Sequence, residues 1–206
     1  MGELVACEKC GMSYFPDDTE DLADHARRCD QVVNGTIVPT SSVNAAIWRN
    51  KDDQIILVTD KSSEEQRKLA HEIARCANRE MQYDYGIYRY YDSPDGRNVH
   101  IFLYVRSGRA RGFCLLEKRT TVWHCTWNEP ETPTCIERQD LSPMWSVGFV
   151  WVHKEQRHRG VAYSLLAEAK TYLGLNDGNL GWHTPFSEDG KRLVRRLYPS
   201  TFNVAE

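Results

Sequence analysis

The 206-residue sequence predicts an α/β chain, a mixed sheet flanked by helices and preceded by a small Cys/His finger. Three observations carry this reading. An apolar run from Trp145 to Val152 passes through a short basic turn into a helical pattern that begins around Gly160. Upstream, β-branched runs and one amphipathic stretch follow one another between Gln54 and Leu116. Near the start, Cys7, Cys10, His25 and Cys29 stand at the spacing Cys-x2-Cys-x14-His-x3-Cys.

Residues 1–38 are read as the finger and 39–206 as the main domain. In the finger, Cys7 and Cys10 suit a knuckle, and Asp18-Thr19-Glu20-Asp21 signals a helix start. His25 and Cys29, four apart, then share one face of that helix. Two such pairs suit a tetrahedral zinc ion. With all four positions filled by the protein, none is left for water or substrate, so the site is expected to be structural. Residues 1–35 carry Lys9, Arg27 and Arg28 against Glu3, Glu8, Asp17, Asp18, Glu20, Asp21, Asp24 and Asp30. That acidity repels a phosphate backbone, so direct nucleic-acid binding is disfavoured and the finger reads as a stability or docking element. A segment this short has too little core to fold unaided, and a metal offsets the deficit.

In the main domain, Gln54 to Thr59 suits the first strand. Ser62-Ser63-Glu64-Glu65 has capping-box form, and Leu69, Ile73 and Ala77 continue one helical face to about Met81. Tyr83 to Tyr91 holds five tyrosines, which either line an aromatic pocket for a cationic group or fill a sheet edge. Asp95-Gly96 marks a turn before the strand His100–Val105, and Ser107-Gly108 turns that strand into Ala110–Leu116. Glu129 to Pro143, rich in Pro, Thr and charge, reads as a loop.

Composition bounds the class. With 41% hydrophobic and 27% charged residues the chain reads as a soluble globular protein. It shows no bilayer-length apolar run, no signal-peptide pattern and no myristoylation signal after Gly2. The expected setting is intracellular, in the cytoplasm, with no membrane contact. Seven cysteines without a secretory signal then imply reduced thiols, with Cys76, Cys114, Cys125 and Cys135 in buried or incidental roles.

The turn Arg157-His158-Arg159-Gly160-Val161-Ala162 leads into a helical pattern in which Val161, Leu165, Ala169 and Tyr172 recur near helical spacing, with Leu166 and Leu173 widening the stripe. Free backbone N–H groups, the positive end of the helix dipole and adjacent cations make this a site for pyrophosphate. Gly160 lets a ligand come close to the backbone.

The strand with Val150 and Val152 and the turn Arg-x-x-Gly-x-Ala resemble motif A of the GNAT acetyltransferases. The resemblance implies a GNAT-type mixed sheet and acetyl-CoA as co-substrate. Val150, Trp151 and Val152 would face pantetheine, and Arg157, His158, Arg159, Gly160, Val161 and Ala162 the pyrophosphate. Cys10-Gly11-Met12-Ser13-Tyr14, then His25 and Asn34-Gly35, is similar to the finger of the cohesin acetyltransferases of Eco/ESCO type, with Cys29 in place of a final His. That resemblance covers roughly residues 5–38 and 145–205, and in a eukaryotic enzyme of this type it implies the nucleus. Where that family carries Phe-Ser-Asp-Pro-Thr-Pro-Asp-Gly-Lys, this chain has Trp182 to Lys191, with Thr184 at the place of the first Asp and one inserted residue. The departure points to a compact divergent homologue, bacterial or from a mobile element.

The resemblance implies direct transfer of acetyl to a primary amine, of a protein lysine or of a cationic small molecule such as an aminoglycoside or polyamine. A non-catalytic interaction or acyl-CoA-sensing module is the competing class, against which the open phosphate cradle speaks. Tyr198, after the basic helix Lys191–Arg196, matches the tyrosine that GNAT enzymes often use as general acid, and His183 and Glu137 are candidate bases.

Overall fold

A computed structural model of the chain describes residues 2–43, 45–81, 99–128, 133–138 and 142–205, with the side chains of 137 and 138 outside the description. The tyrosine-rich stretch and the Asp95-Gly96 turn lie outside the described residues.

The finger opens on a small hairpin, β1 (Val5–Ala6) against β2 (Ser13–Tyr14). Its knuckle closes as Gly11 N–H donates to Cys7 O at 2.8 Å and Cys7 N–H to Met12 O at 2.9 Å. Helix α1 (Thr19–Asn34) starts at the acidic signal, where the Asp18 carboxylate accepts from the N–H groups of Glu20 and Asp21 at 2.9 and 3.1 Å. It stops at Gly35, whose φ of +85° belongs to glycine; a Cβ there would lie 2.6 Å from Ala110 O. That close approach lays the following strand β3 (Thr36–Ile37) against β7 (Arg109–Arg119), so the end of the finger is built into the main sheet.

The remaining strands are β4 (Ala46–Asn50), β5 (Asp53–Val58), β6 (Val99–Arg106), β8 (Val122–Trp127), β9 (Pro133–Arg138), β10 (Met144–Val152), β11 (Leu180–Trp182) and β12 (Thr201–Ala205). They run in the order β4-β5-β6-β7-β10-β11-β12-β8-β9, with β3 added beside β7. The central pairs β10–β11 and β11–β12 are parallel, and the other pairs are antiparallel. A short helix α2 (Thr40–Val43) leads in from the finger, and among the described residues three longer ones follow: α3 (Glu64–Met81), α4 (Val161–Leu173) and α5 (Glu188–Leu197). The sheet is therefore mixed and helix-flanked, as expected.

Alternation along the strands builds two cores. One face of the sheet, with Ile101, Leu103, Phe113 and Leu115, buries Leu69, Ile73 and Ala77 of α3. The other, with Phe102, Cys114 and Leu116, buries Val161, Leu165, Leu166 and Ala169 of α4. Each such leucine contributes roughly 1.5–3 kcal/mol relative to an exposed one. A Cβ on Gly112 would meet Val161 at 2.9 Å and Leu165 at 3.1 Å, so the start of α4 rests directly on the backbone of β7.

Two expectations need correction. The segment Glu129–Pro143 contains a strand, β9, which pairs with β8 as an added sheet edge. Its proline stands at the first strand position, where a missing N–H costs little, and Thr134-Cys135-Ile136 fits the pleat. Within that pair Cys125 and Cys135 face each other with Cα atoms 4.0 Å apart and form a disulfide. Those two cysteines are thus not reduced thiols; Cys7, Cys10, Cys29, Cys76 and Cys114 are free.

Candidate active site and metal centre

The central feature is a gap in the sheet. β10 pairs with β11 only over Trp145–Val147, and the last bond across is His183 N–H to Val147 O at 3.0 Å. At that point β10 also shifts register against β7: Val147 faces Leu116 and Phe149 faces Leu115, leaving Gly148 as the extra residue of a bulge. A bulge bends and twists its strand, and the two parallel strands part beyond it. Val152 O accepts from Arg157 Nε at 2.9 Å, while His153 N–H donates to Arg111 O of β7. Alternation then turns the N–H and C=O of Val150 and the N–H of Val152 into the gap.

A cleft of about 960 Å³ fills this gap. Its walls are Val147 to Val152, the start of α4, and the segment from Trp182 through Phe186 to the first turns of α5. The volume suits a drug-sized or cofactor-sized ligand. At one end lies the α4 N-terminus. His158 and Gly160 both take left-handed backbone angles, φ +60° and +82°, which turn the chain so that the first N–H groups of α4 point into the opening. A Cβ on Gly160 would meet nothing within 4 Å, so this stretch of backbone is uncovered. His158, Val161 and Ala162 line the cleft; Arg159 is exposed beside it and is not part of its lining. Arg192 and Arg196 of α5 also border it, with the Arg196 guanidinium 5.5 Å from the Tyr163 ring centre.

Arg157 and Trp151 line the cleft and are also tied to α3. The Arg157 guanidinium is turned back onto Val152 O and onto Glu80 of α3, with which it forms an ion pair. Glu80 also accepts from the Trp151 indole at 2.8 Å, and the Trp151 ring belongs to the α3-side core. Both side chains brace the loop. Both residues also border the cleft, beside the backbone of the turn. Glu80, 77 residues away from Arg157, has no sequence signal that marks it.

Of the proton-handling candidates, the structure brings one to the cleft. His183 sits at the splay point, lines the cleft, and its Nδ1 is buried without a hydrogen-bond partner among the described residues. Tyr198 is buried behind the wall against Trp182, and its hydroxyl lies 3.4 Å from Asp177 Oδ1 rather than in the cleft. Burial, then the Asp177 carboxylate, pushes that phenol far above its ordinary pKa. Glu137 lies in β9, opposite Trp123 and four strand positions from β10. At ~4.8 Å between neighbours this is roughly 19 Å along the sheet.

The metal candidates converge. The donor atoms of Cys7, Cys10, His25 and Cys29 all lie within 4.8 Å of one another. Zn–S bonds of about 2.3 Å in a tetrahedron imply S···S separations near 3.8 Å; Cys7 and Cys29 stand at 3.9 Å. The His25 ring is held by a stack on Tyr14, centroids 3.8 Å apart, and its Nε2 is buried without a hydrogen-bond partner among the described residues. The His25 imidazole, then knuckle N–H groups, draw the Cys7 thiol down to about 6, whereas desolvation raises Cys29. The donor set fits zinc.

Comparison with known proteins matches these features. The family model "zinc-finger of acetyl-transferase ESCO" covers residues 1–31. N-acetyltransferase ECO1 of Candida glabrata is 23% identical over 94% of this chain and 83% of its own length. The ECO1 enzyme of Saccharomyces cerevisiae is 22% identical over 92% and 82%. Among solved structures, the xEco2 acetyltransferase domain bound to a K105-CoA conjugate superposes with a TM-score of 0.62 at 17% identity, over 78% of this chain and 96% of that one. The chain is therefore an acetyl-CoA-dependent N-acetyltransferase of the GNAT fold that carries a structural zinc finger. Within that class it resembles the Eco/ESCO acetyltransferases along nearly its whole length. Its substrate is an amine-bearing molecule.

Proposed function

We propose that this enzyme acetylates the ε-amine of a lysine on a protein, and that the parted strands β10 and β11 are where the transfer occurs. The single observation that carries the reading is that gap, open beside an uncovered helix N-terminus. The xEco2 domain bound to a lysine-bearing CoA conjugate supports the choice of acceptor. In this reading the turn from His158 to Ala162 takes the pyrophosphate through backbone N–H groups, and Val150 and Val152 pair with pantetheine. Cys7, Cys10, His25 and Cys29 bind the zinc of a finger spanning 1–38, ahead of a catalytic domain over 39–206. A eukaryotic enzyme of this kind works in the nucleus.

Chemistry follows from the geometry. The neutral lysine Nζ attacks the thioester carbonyl carbon, and the carbonyl π electrons move onto its oxygen. A backbone N–H of the bulged strand meets that developing charge, worth about 2.7–4 kcal/mol for a well-placed donor. Collapse of the tetrahedral adduct expels the CoA thiolate. The proton lost from nitrogen passes to His183, directly or through one water.

The test is turnover. Purified protein is incubated with acetyl-CoA and separately with lysine peptides, folded lysine-bearing proteins, polyamines and aminoglycosides, with CoA release and the acetylated product both measured. Acetylation at a lysine ε-amine is expected. Turnover confined to the small amines would replace the protein substrate with a small molecule. Tight CoA binding without turnover on any amine would make the chain a sensing module.

A further inference from the structure

The loop that leads into α4 is tied to the finger by one buried side chain. His153 is 2% exposed. Its Nδ1 accepts from Glu155 N–H at 3.3 Å, capping the 3-10 turn Lys154–Gln156, so the ring proton resides on Nε2. Nε2 then donates to Val32 O at 2.9 Å. Val32 lies in the last turn of α1, where carbonyls have no partner within the helix, so His153 satisfies a polar group that α1 leaves open. The rest of the loop is pinned to the main domain. Gln156 Oε1 accepts from Arg106 Nη1 at 2.9 Å, and Arg106 is held by Asp53. Arg157 is held by Glu80. Two residues beyond Gln156 the chain takes its first left-handed angle and enters the phosphate cradle.

The seat of α1 is fixed from its other side as well. Arg109 of β7 donates to Asp30 and to Gly35 O, both at 2.8 Å. We propose that His153 is a positioning residue through which the finger helix holds the phosphate-binding turn, so that the seating of α1 sets the affinity for acetyl-CoA. This rests on the reading of that turn as the cofactor site. His153 itself touches no ligand in this scheme. It fixes where the 3-10 turn begins, and the cradle inherits that position.

The imidazole performs two separable tasks. An Asn amide reaches about as far as Nδ1 and keeps the cap, while a Gln amide reaches about as far as Nε2 and keeps the bond to Val32. Calorimetry with CoA, steady-state kinetics, zinc content and amide hydrogen exchange over 154–160 are compared for the wild type and four variants. His153→Asn is expected to weaken CoA binding about five- to tenfold, the loss of one buried hydrogen bond, and to raise KM alike with kcat within about twofold. Exchange at 154–160 should accelerate while zinc is retained. His153→Gln should return affinity to within about twofold of wild type. Arg109→Ala, which loosens α1 while leaving both hydrogen bonds of the His153 ring in place, should weaken CoA binding in the same direction, which also serves if His153→Asn does not fold. Gly160→Glu controls the underlying reading. Wild-type CoA affinity in both His153→Asn and Arg109→Ala, with none in Gly160→Glu, would overturn the coupling and leave the cofactor site standing. Equal losses in the Asn and Gln variants would remove the Val32 bond as the cause. Undiminished binding in Gly160→Glu would remove the cofactor site itself.

Discussion

Gly160 holds φ at +82° with nothing near the place of its missing side chain. A side chain there is strained by the backbone, and a carboxylate would occupy the spot where the helix dipole favours a foreign anion. Gly160→Glu should therefore reduce CoA affinity at least about a hundredfold by calorimetry, as two well-made charged hydrogen bonds are lost. Zinc content should not change, because the metal donors lie in the finger. His183 and Tyr198 make an opposing pair. His183→Gln should lower kcat by about 10²–10⁴, the range of general acid–base catalysis, with CoA affinity retained. Tyr198→Phe should keep kcat within about twofold, because its hydroxyl faces Asp177 and not the cleft. A large fall in kcat for Tyr198→Phe with an intact fold would return the general acid to that residue. From sequence, a tyrosine after a basic helix and a histidine at a strand end looked alike. The direction of each ring decides between them, and direction comes from packing.

At the scale of elements, α4 was legible because its apolar stripe repeats at helical spacing and its turn carries glycine. How close it lies to the sheet was not. Gly112 lets Val161 and Leu165 meet the backbone of β7, so Gly112→Ala should overpack that contact. The cost is about 1–3 kcal/mol, a fall in Tm of roughly 2–12 °C for a chain of this size, read by thermal unfolding. Displacement of the α4 N-terminus should weaken CoA binding in the same variant, whereas a drop in Tm with unchanged affinity would mean that the helix tilts about its first turn. The added edge β8–β9 was harder to read. Val122 to Trp127 has strand composition, yet Pro133 and the surrounding charge masked its partner. Pairing across the sheet edge supplied what local propensity did not, and it brought Cys125 and Cys135 together.

At the scale of the whole molecule, the half-buried His71 and His100 and the buried His153 contribute to the acid side of stability. His71, His100 and His153 all have pKa values lowered, in each case chiefly by burial. Around His153, Arg111 and Lys154 lower it further, while Val32 O and Glu80 oppose them. The unfolded chain, with histidines near 6.5, binds more protons than the folded one between the lowered values and about 6.5. Stability is thus fully present above about pH 6.5 and is lost as pH falls through the folded values. Tm should rise from about pH 5 to pH 7, and the rise should be smaller in His153→Asn; an equal slope in both would exclude His153 as a contributor. Zinc removal by a chelator should melt residues 1–31 and lower Tm, since metal binding and finger folding are one equilibrium.

The sequence by itself determined the Cys/His quartet, the glycine turn ahead of α4, the mixed helix-flanked sheet and the co-substrate class. Each is written in short spacings or in periodicity, and backbone geometry alone converts those into structure. Only the tertiary structure decided that Arg157 pairs with Glu80, that His183 and not Tyr198 lines the cleft, and that His153 bonds Val32 of the finger helix. Those outcomes depend on partners far apart in the chain, 77 residues for Arg157 and Glu80 and 121 for His153 and Val32. A buried polar side chain takes whichever partner packing leaves it, and no local pattern records that choice.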